Sequence, residues 1–397
     1  MIEANTWPHE GAQFDVAVIG GGIHGAGVAQ AAAAAGYRVL LVERREWAAA
    51  TSHASSKLIH GGLRYLESAQ LGLVRNSLQE RQRLFRNAPT LVKPVRFFIP
   101  IYRHTRRRPW QIRAGLSLYA LLTGLQREAR FRSLPRREWN ALGGLRTDEL
   151  QVVFQYWDGQ TDDAALTRAV ATSAAELGAT CLQHCELIAA QQRGAGFDLQ
   201  LRGANGILHC RADSLVNATG PWVNELLQRC APAPAQRPLS WVKGTHIVLP
   251  AFELPGIFYL EAPSDGRAVF VMPWREKTLV GTTETEVDRP DTQPSQQEID
   301  YLLATLQAYF PQFPHTVLDS FAGTRVLPAS GGRAFNRARE SVLEKSAIAG
   351  ATLVSIYGGK LTTYRHTAEQ VIDLLPPPPA GKAAIADTRD LRLGADQ

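Results

Sequence analysis

The chain has 397 residues, 45% apolar and 20% charged. That is a globular composition, and it excludes a disordered, fibrous or collagen-like protein. The length allows roughly two to three domains. No apolar run reaches the ~18 residues of a membrane-spanning helix. Residues 1–13 carry Glu3 and Glu10 without an apolar centre, so they do not read as a secretory signal. The net charge of +6 is modest, and its distribution matters more than its size.

Residues 14–19 form a short, β-branched run that reads as a buried strand. Gly20-x-Gly22-x-x-Gly25 follows, then an alanine-rich helix over 28–35 closed by Gly36, then a second strand over 37–43. This is the order of a βαβ unit with a dinucleotide fingerprint. The first glycine makes the turn, the second lets backbone approach a pyrophosphate, and the third allows helix to pack on strand. Glu43, at the end of the second strand, is placed to accept from ribose hydroxyls.

A polar, glycine-rich loop spans 51–65, and helical spacing returns over 70–88, marked by Leu73, Val74, Leu78 and Phe85. Asp162 or Asp163 caps a helix running to Leu177, which Gly178 ends. Alternating segments then include strands at 213–218, 245–249, 268–272 and 278–281. An amphipathic helix over 296–310 stops at Pro311. Two strands fill 342–357, and Gly358-Gly359 opens a last helix over 362–375. Prolines 376–379 end it and begin a stiff linker and tail over 376–397.

Four cysteines (Cys181, Cys185, Cys210, Cys230) are too few for a disulfide scaffold, and with no signal they suggest a reducing cytoplasm. Cys181, His184 and Cys185 lie close together, but no second Cys/His pair matches them, so no metal site is expected. Residues 103–137 hold ten arginines and one acid, Glu128. The apolar stretch 112–125 between them is too short to span a bilayer. It reads either as a core helix with solvated arginine ends or as a peripheral helix on an anionic membrane surface at the inner face. No base-stacking aromatic motif accompanies the charge, so nucleic acid is not an expected partner.

Two later features favour FAD over NAD. One is the strand 213–218 leading into Ala-Thr-Gly at 218–220, and the other is the glycine turn at 358–359 before a helix start. A helix N-terminus at a flavin's pyrimidine edge stabilises the negative charge of reduction. At this point five separated blocks resemble the FAD-dependent glycerol-3-phosphate dehydrogenases of the aerobic, quinone-linked type. They are 51–67 (TSHASSKLIHGGLRYLE), 217–223 (NATGPWV), 243–248 (KGTHIV), 281–283 (GTT) and 358–365 (GGKLTTYR).

The resemblance covers about 14–375 and implies an α/β fold. A glutathione-reductase-type, Rossmann-like FAD-binding domain (about 14–90, 150–235 and 340–375) would carry an inserted mixed-sheet substrate domain (about 91–149 and 236–339). It implies oxidation of sn-glycerol 3-phosphate to dihydroxyacetone phosphate by hydride transfer from C2 to flavin N5, with electrons passed to quinone, or to oxygen in the oxidase branch. It places His246, His60, Arg325 and Lys360 at the catalytic centre, His246 being the first choice as base. Arg64, Tyr65, Thr283 and Arg339 would bind substrate, with Arg333 and Arg337 as alternatives to Arg339. Gly20, Gly22, Gly25, Glu43, Thr51, Ser52, Ser56, Lys57, Gly61, Ala218, Gly220, Gly359, Lys360, Leu361 and Thr362 would hold the FAD. Three departures stand out: His24 inside the fingerprint, no proline after Arg325, and no expected helical C-terminal domain. Two other functions stay open: a related FAD enzyme of a small hydroxy acid or amine, and a flavin-binding protein without turnover.

Overall fold

The computed structural model describes residues 7–66, 70–124, 130–328, 341–348 and 350–394. Its first sheet has a parallel centre, in the order Thr180–Leu182, Val39–Val42, Gln13–Ile19, Gly206–Asn217, Ala351–Tyr357. Along Gln13–Ile19 the pleat sends Val16 and Val18 to one face and Ala17 and Ile19 to the other. The first face is covered by helices Ile23–Ala34, Asp163–Glu176 and Tyr364–Leu374. The second is covered by the antiparallel strands Glu186–Arg193 and Gly196–Gly203, which pair with each other, the latter also pairing with the first half of Gly206–Asn217.

Helix Ile23–Ala34 begins earlier than alanine content alone suggests, because Gly25 and Gly27 lie within it. Glycine disfavours helix, but close packing requires it here. A Cβ on Gly27 would meet the Tyr364 ring at 2.7 Å.

The second sheet is mostly antiparallel and holds Leu239–Pro250, Lys277–Gly281, Ala268–Trp274, Ile257–Glu261, Val92–Tyr102 and Leu150–Thr161 in that order, with Asp319–Pro328 also paired to Leu239–Pro250. Leu150–Thr161 pairs with Val92–Tyr102 over nearly its whole length. It therefore belongs to this sheet rather than to the FAD-binding segment that begins at 150 in the sequence scheme. Helix Gln296–Tyr309 packs on one face and starts with a reciprocal cap between Ser295 and Glu298. Helices Leu71–Asn87 and Pro109–Leu122 pack on the other.

The segment after Pro376 is not a free linker. Extended, proline-rich backbone has no internal hydrogen bonds to satisfy it, and here it bonds to its neighbours. Ile385 N donates to Ala34 O at 2.7 Å, Asn87 Nδ2 donates to Arg389 O at 2.8 Å, and Leu393 is buried in the core beneath the first sheet.

Candidate active site

A cavity of about 390 Å³ is lined by residues of both sheets, within the range of roughly 300–1,000 Å³ typical of small-molecule sites. One end is made mostly of backbone. Gly20 closes the first strand at φ +114°, and a Cβ there would lie 2.5 Å from Ala218 O. A Cβ on Gly25 would lie 1.7 Å from Gly20 O. These two glycines let the turn, the helix and the strand ending at Asn217 meet. Gly22 lines the cavity and caps the helix without a side chain, and the first helical turn has no acid. The helix therefore presents N–H groups and a partial positive charge at the cavity wall, an anion cradle. Ser52 Oγ accepts from Ile23 N at 2.9 Å. Glu43 accepts from Gly21 N at 2.7 Å and Arg45 N at 2.8 Å, which fixes its carboxylate at the cavity wall. Ala218 and Gly220 complete this end. Trp222 lies beside them, with the Arg44 guanidinium 4.4 Å from its ring centroid. A glycine turn leading into a helix N-terminus at the cavity wall, with a fixed carboxylate beside it, fits a dinucleotide.

His24 lines the same cavity. Its ring packs against Gly359 at the opposite glycine turn, where a Cβ would lie 2.1 Å from Nε2. Burial pushes its pKa down to about 4, so the imidazole is neutral.

The loop over 51–62 joins the two ends. Thr51 Oγ1 donates to Thr324 O at 2.6 Å, tying the loop to the second sheet. Asp163 holds the loop from the other side. It accepts from Ser55 N at 2.9 Å, Ser55 Oγ at 2.7 Å and Lys57 Nζ at 2.8 Å. Asp162, not Asp163, caps the helix, accepting from Ala165 N at 3.0 Å. Lys57 therefore does not reach the cavity: its ammonium is buried in the pair with Asp163, and it clamps the loop instead of binding cofactor. Gly61 is also off the wall. Its N–H donates to Tyr119 Oη at 2.8 Å, and a Cβ there would strike Leu78 at 2.5 Å.

The other end is made of side chains. His246 is 2% exposed, stacks on Phe321 at 5.0 Å between centroids, and has Nε2 3.1 Å from Ser56 Oγ. Burial, followed by repulsion from Lys57 and Arg325, pushes its pKa down to about 3. Gly281 makes room for it, since a Cβ there would lie 2.1 Å from His246 Cδ2. His60 lines the same cavity, and its N–H donates to Thr362 Oγ1 at 3.2 Å. Lys360 Nζ sits 3.8 Å from the Tyr65 ring centroid, a cation–π contact. Arg325 Nη2 donates to Glu284 Oε1 at 3.3 Å.

The structure thus brings His246, His60, Arg325, Lys360 and Tyr65 to one cavity, together with Thr51, Ser52, Ser56, Gly359, Leu361 and Thr362. Thr283 is not among them. Its hydroxyl accepts from Thr245 N at 2.9 Å and donates to Glu298 at 3.1 Å, so it bonds strand to helix, while its neighbour Thr282 lines the cavity. Arg64 lies on the turn Leu63–Leu66, but its side chain falls outside the described set. Arg333, Arg337 and Arg339 are outside the described residues altogether. Among the described residues no group of His, Cys, Asp and Glu could hold a metal ion.

Sequence reasoning misses Arg267 and Glu284, which line the side-chain end of the cavity. Glu284 directly follows the 281–283 block, which is a signal. Arg267 has none. It also misses the loop clamp of Asp163. Two adjacent acids at a helix start are one more than a cap needs, and that is the clue.

A family model described as FAD dependent oxidoreductase matches residues 15–365. The chain belongs to this family. It is 38% identical over 372 residues to the glycerol-3-phosphate dehydrogenase of Pseudomonas aeruginosa, an alignment covering 92% of this chain and 72% of that one. It is 37% identical over 364 residues to the D-erythritol 1-phosphate dehydrogenase of Brucella abortus, covering 90% and 72%. Among solved structures it is similar to a glycerol-3-phosphate dehydrogenase from Bacillus halodurans complexed with FAD. The TM-score there is 0.76 at 27% identity, covering 96% of this chain and 68% of that one. This oxidoreductase uses FAD, and the glycine cradle, helix N-terminus and Glu43 are the residues that fit it.

Proposed function

We propose that this FAD-dependent oxidoreductase oxidises sn-glycerol 3-phosphate to dihydroxyacetone phosphate. The observation that carries the reading is the gathering of His246, His60, Arg325 and Lys360 at one cavity whose other end is the dinucleotide cradle. A phosphate dianion needs cations, and the planar fork of arginine matches its oxygens. Arg64, Arg339 and Lys360 supply that charge, and Arg325 and Tyr65 complete the substrate set. His246 is neutral, the state in which it accepts the C2 hydroxyl proton. Lys360 holds the negative charge that develops on the C2 oxygen, and His60 is the second candidate for the base. FAD, when bound, supplies the acceptor for the C2 hydride and relays the electrons to quinone.

The second reading is a longer polyol phosphate, favoured by the D-erythritol 1-phosphate dehydrogenase among its relatives. A steady-state panel separates the two. Glycerol 3-phosphate is expected to give the highest kcat/KM against D-erythritol 1-phosphate, a 2-hydroxy acid and an amine. A higher value for any other substrate replaces the reading. A soluble quinone is expected to outpace oxygen as acceptor, and the reverse result assigns the chain to oxidases.

We also infer peripheral attachment to an anionic membrane through helix Pro109–Leu122. Its Trp110 and Leu121 lie on one exposed face at 70% and 63% exposure, among Arg103, Arg106, Arg108 and Arg113. Among the described residues no helix is long and apolar enough to cross a membrane. Co-flotation with anionic but not neutral liposomes at low salt is expected, and failure to float removes this reading.

A further inference from the structure

Beside His246 the substrate end carries two arginines and two acids. Arg325 Nη2 is 3.3 Å from Glu284 Oε1, and the Arg267 guanidinium donates to the Glu284 main-chain oxygen. Arg267 Nε is also 3.3 Å from Asp265 Oδ2, and Tyr301 donates to the same Asp265 carboxylate at 3.0 Å. The Glu284 side chain is 9% exposed and lines the cavity. The other acids lining it, Glu43, Glu186 and Glu225, lie with the Glu43 and Trp222 end. A carboxylate in the cavity wall is an anionic acceptor that suits uncharged hydroxyls. It does not suit a phosphate dianion, which a carboxylate repels and for which Arg325 is already partly neutralised.

Resting on the polyol-phosphate reading above, we propose that Glu284 is the specificity-determining residue that reads the substrate's hydroxyls. Its carboxylate accepts from the hydroxyl remote from the phosphate, Arg325 donates to the neighbouring oxygen, and Arg267 fixes the loop that carries Glu284. The phosphate is held elsewhere in the cavity, so the site measures a phosphorylated polyol from both ends. A site built around a hydroxyl rejects an analogue lacking it far more strongly than an apolar pocket does, because its polar groups are then left unpaired.

The test uses FAD-loaded full chain and two substrates, glycerol 3-phosphate and 2-hydroxypropyl phosphate, which lacks the remote hydroxyl. The ratio of their kcat/KM values is the readout, with inorganic phosphate as competitive inhibitor. Glu284→Gln is expected to lower that ratio at least about tenfold while phosphate inhibits no more weakly than in the parent. Glu284→Asp, which keeps the carboxylate, is expected to restore part of the ratio. Unchanged flavin content and thermal midpoint show that the variants fold. An unchanged ratio in Glu284→Gln overturns the inference alone. Equal losses for both substrates with weaker phosphate inhibition also overturn it, because Glu284 would then only support a phosphate clamp. If neither substrate reduces the flavin of the parent protein, the functional reading falls and takes this inference with it.

Discussion

The cradle end and the substrate end of the cavity are built by opposite means. The cradle is backbone: Gly20, Gly22 and Gly25 lie within six residues, and the lack of side chains at Gly20 and Gly25 is what lets the turn, the helix and the strand ending at Asn217 meet. The substrate end is side chain: His60, His246, Arg267, Glu284, Arg325 and Lys360 come from six separate segments. A cradle of this kind tolerates no added atoms, whereas a side-chain site tolerates substitution but loses chemistry. Damage at the two ends should therefore look different, one as lost cofactor and the other as lost turnover on retained cofactor.

The sharpest way to break the comparison is at Gly25. A Cβ 1.7 Å from Gly20 O cannot be absorbed by a flexible side chain. The cost lies at or beyond the ~3 kcal/mol upper end of ordinary overpacking. Gly25→Val is expected to yield protein without FAD, read from visible absorbance after purification. The clamp between the ends is the next place to break. Asp163→Asn leaves Lys57 buried without its partner, at about 3–5 kcal/mol, and a drop in thermal midpoint on the same scale checks it.

At the substrate end, Arg325→Ala is expected to lower kcat/KM about 10²- to 10³-fold while the protein stays yellow. Loss of flavin in that variant would erase the distinction between the ends.

Much of the cradle is visible in sequence because its parts are neighbours. The strand at 14–19, the fingerprint and Glu43 fall in one βαβ unit, and they stand where that pattern puts them. The substrate end is legible only through blocks of resemblance, and adjacency within a block misleads. Thr283 follows Thr282, yet its hydroxyl bonds Thr245 and Glu298 away from the cavity. Lys57 sits in the flavin loop, yet its charge is consumed by Asp163, 106 residues away. Arg267 has no local pattern at all, since a lone arginine beside an alternating strand reads as solvated surface.

Acid sharpens the comparison further. His24 and His246 are held neutral, with pKa values of about 4 and about 3 against 6.5 unfolded. Between those values and 6.5 the unfolded chain binds protons that the folded chain does not, so stability rises with pH there. Stability should fall as pH drops below about 6.5. Chemical denaturation across pH 4–7 is expected to show a shallower slope in His246→Asn than in the parent. The smallest effect belongs to Arg44→Ala. Losing an exposed cation–π contact to Trp222 is worth about 0.5–1 kcal/mol, so FAD affinity should weaken only a few fold in a fluorescence titration.

The central claim is that one cavity holds both FAD and a phosphorylated polyol. Adding sn-glycerol 3-phosphate to the flavin-loaded protein without oxygen tests it most directly. The account predicts bleaching of the oxidised flavin spectrum in the parent and much slower bleaching in Arg325→Ala with the same flavin content. A yellow parent protein whose spectrum glycerol 3-phosphate and longer polyol phosphates leave unchanged would contradict it.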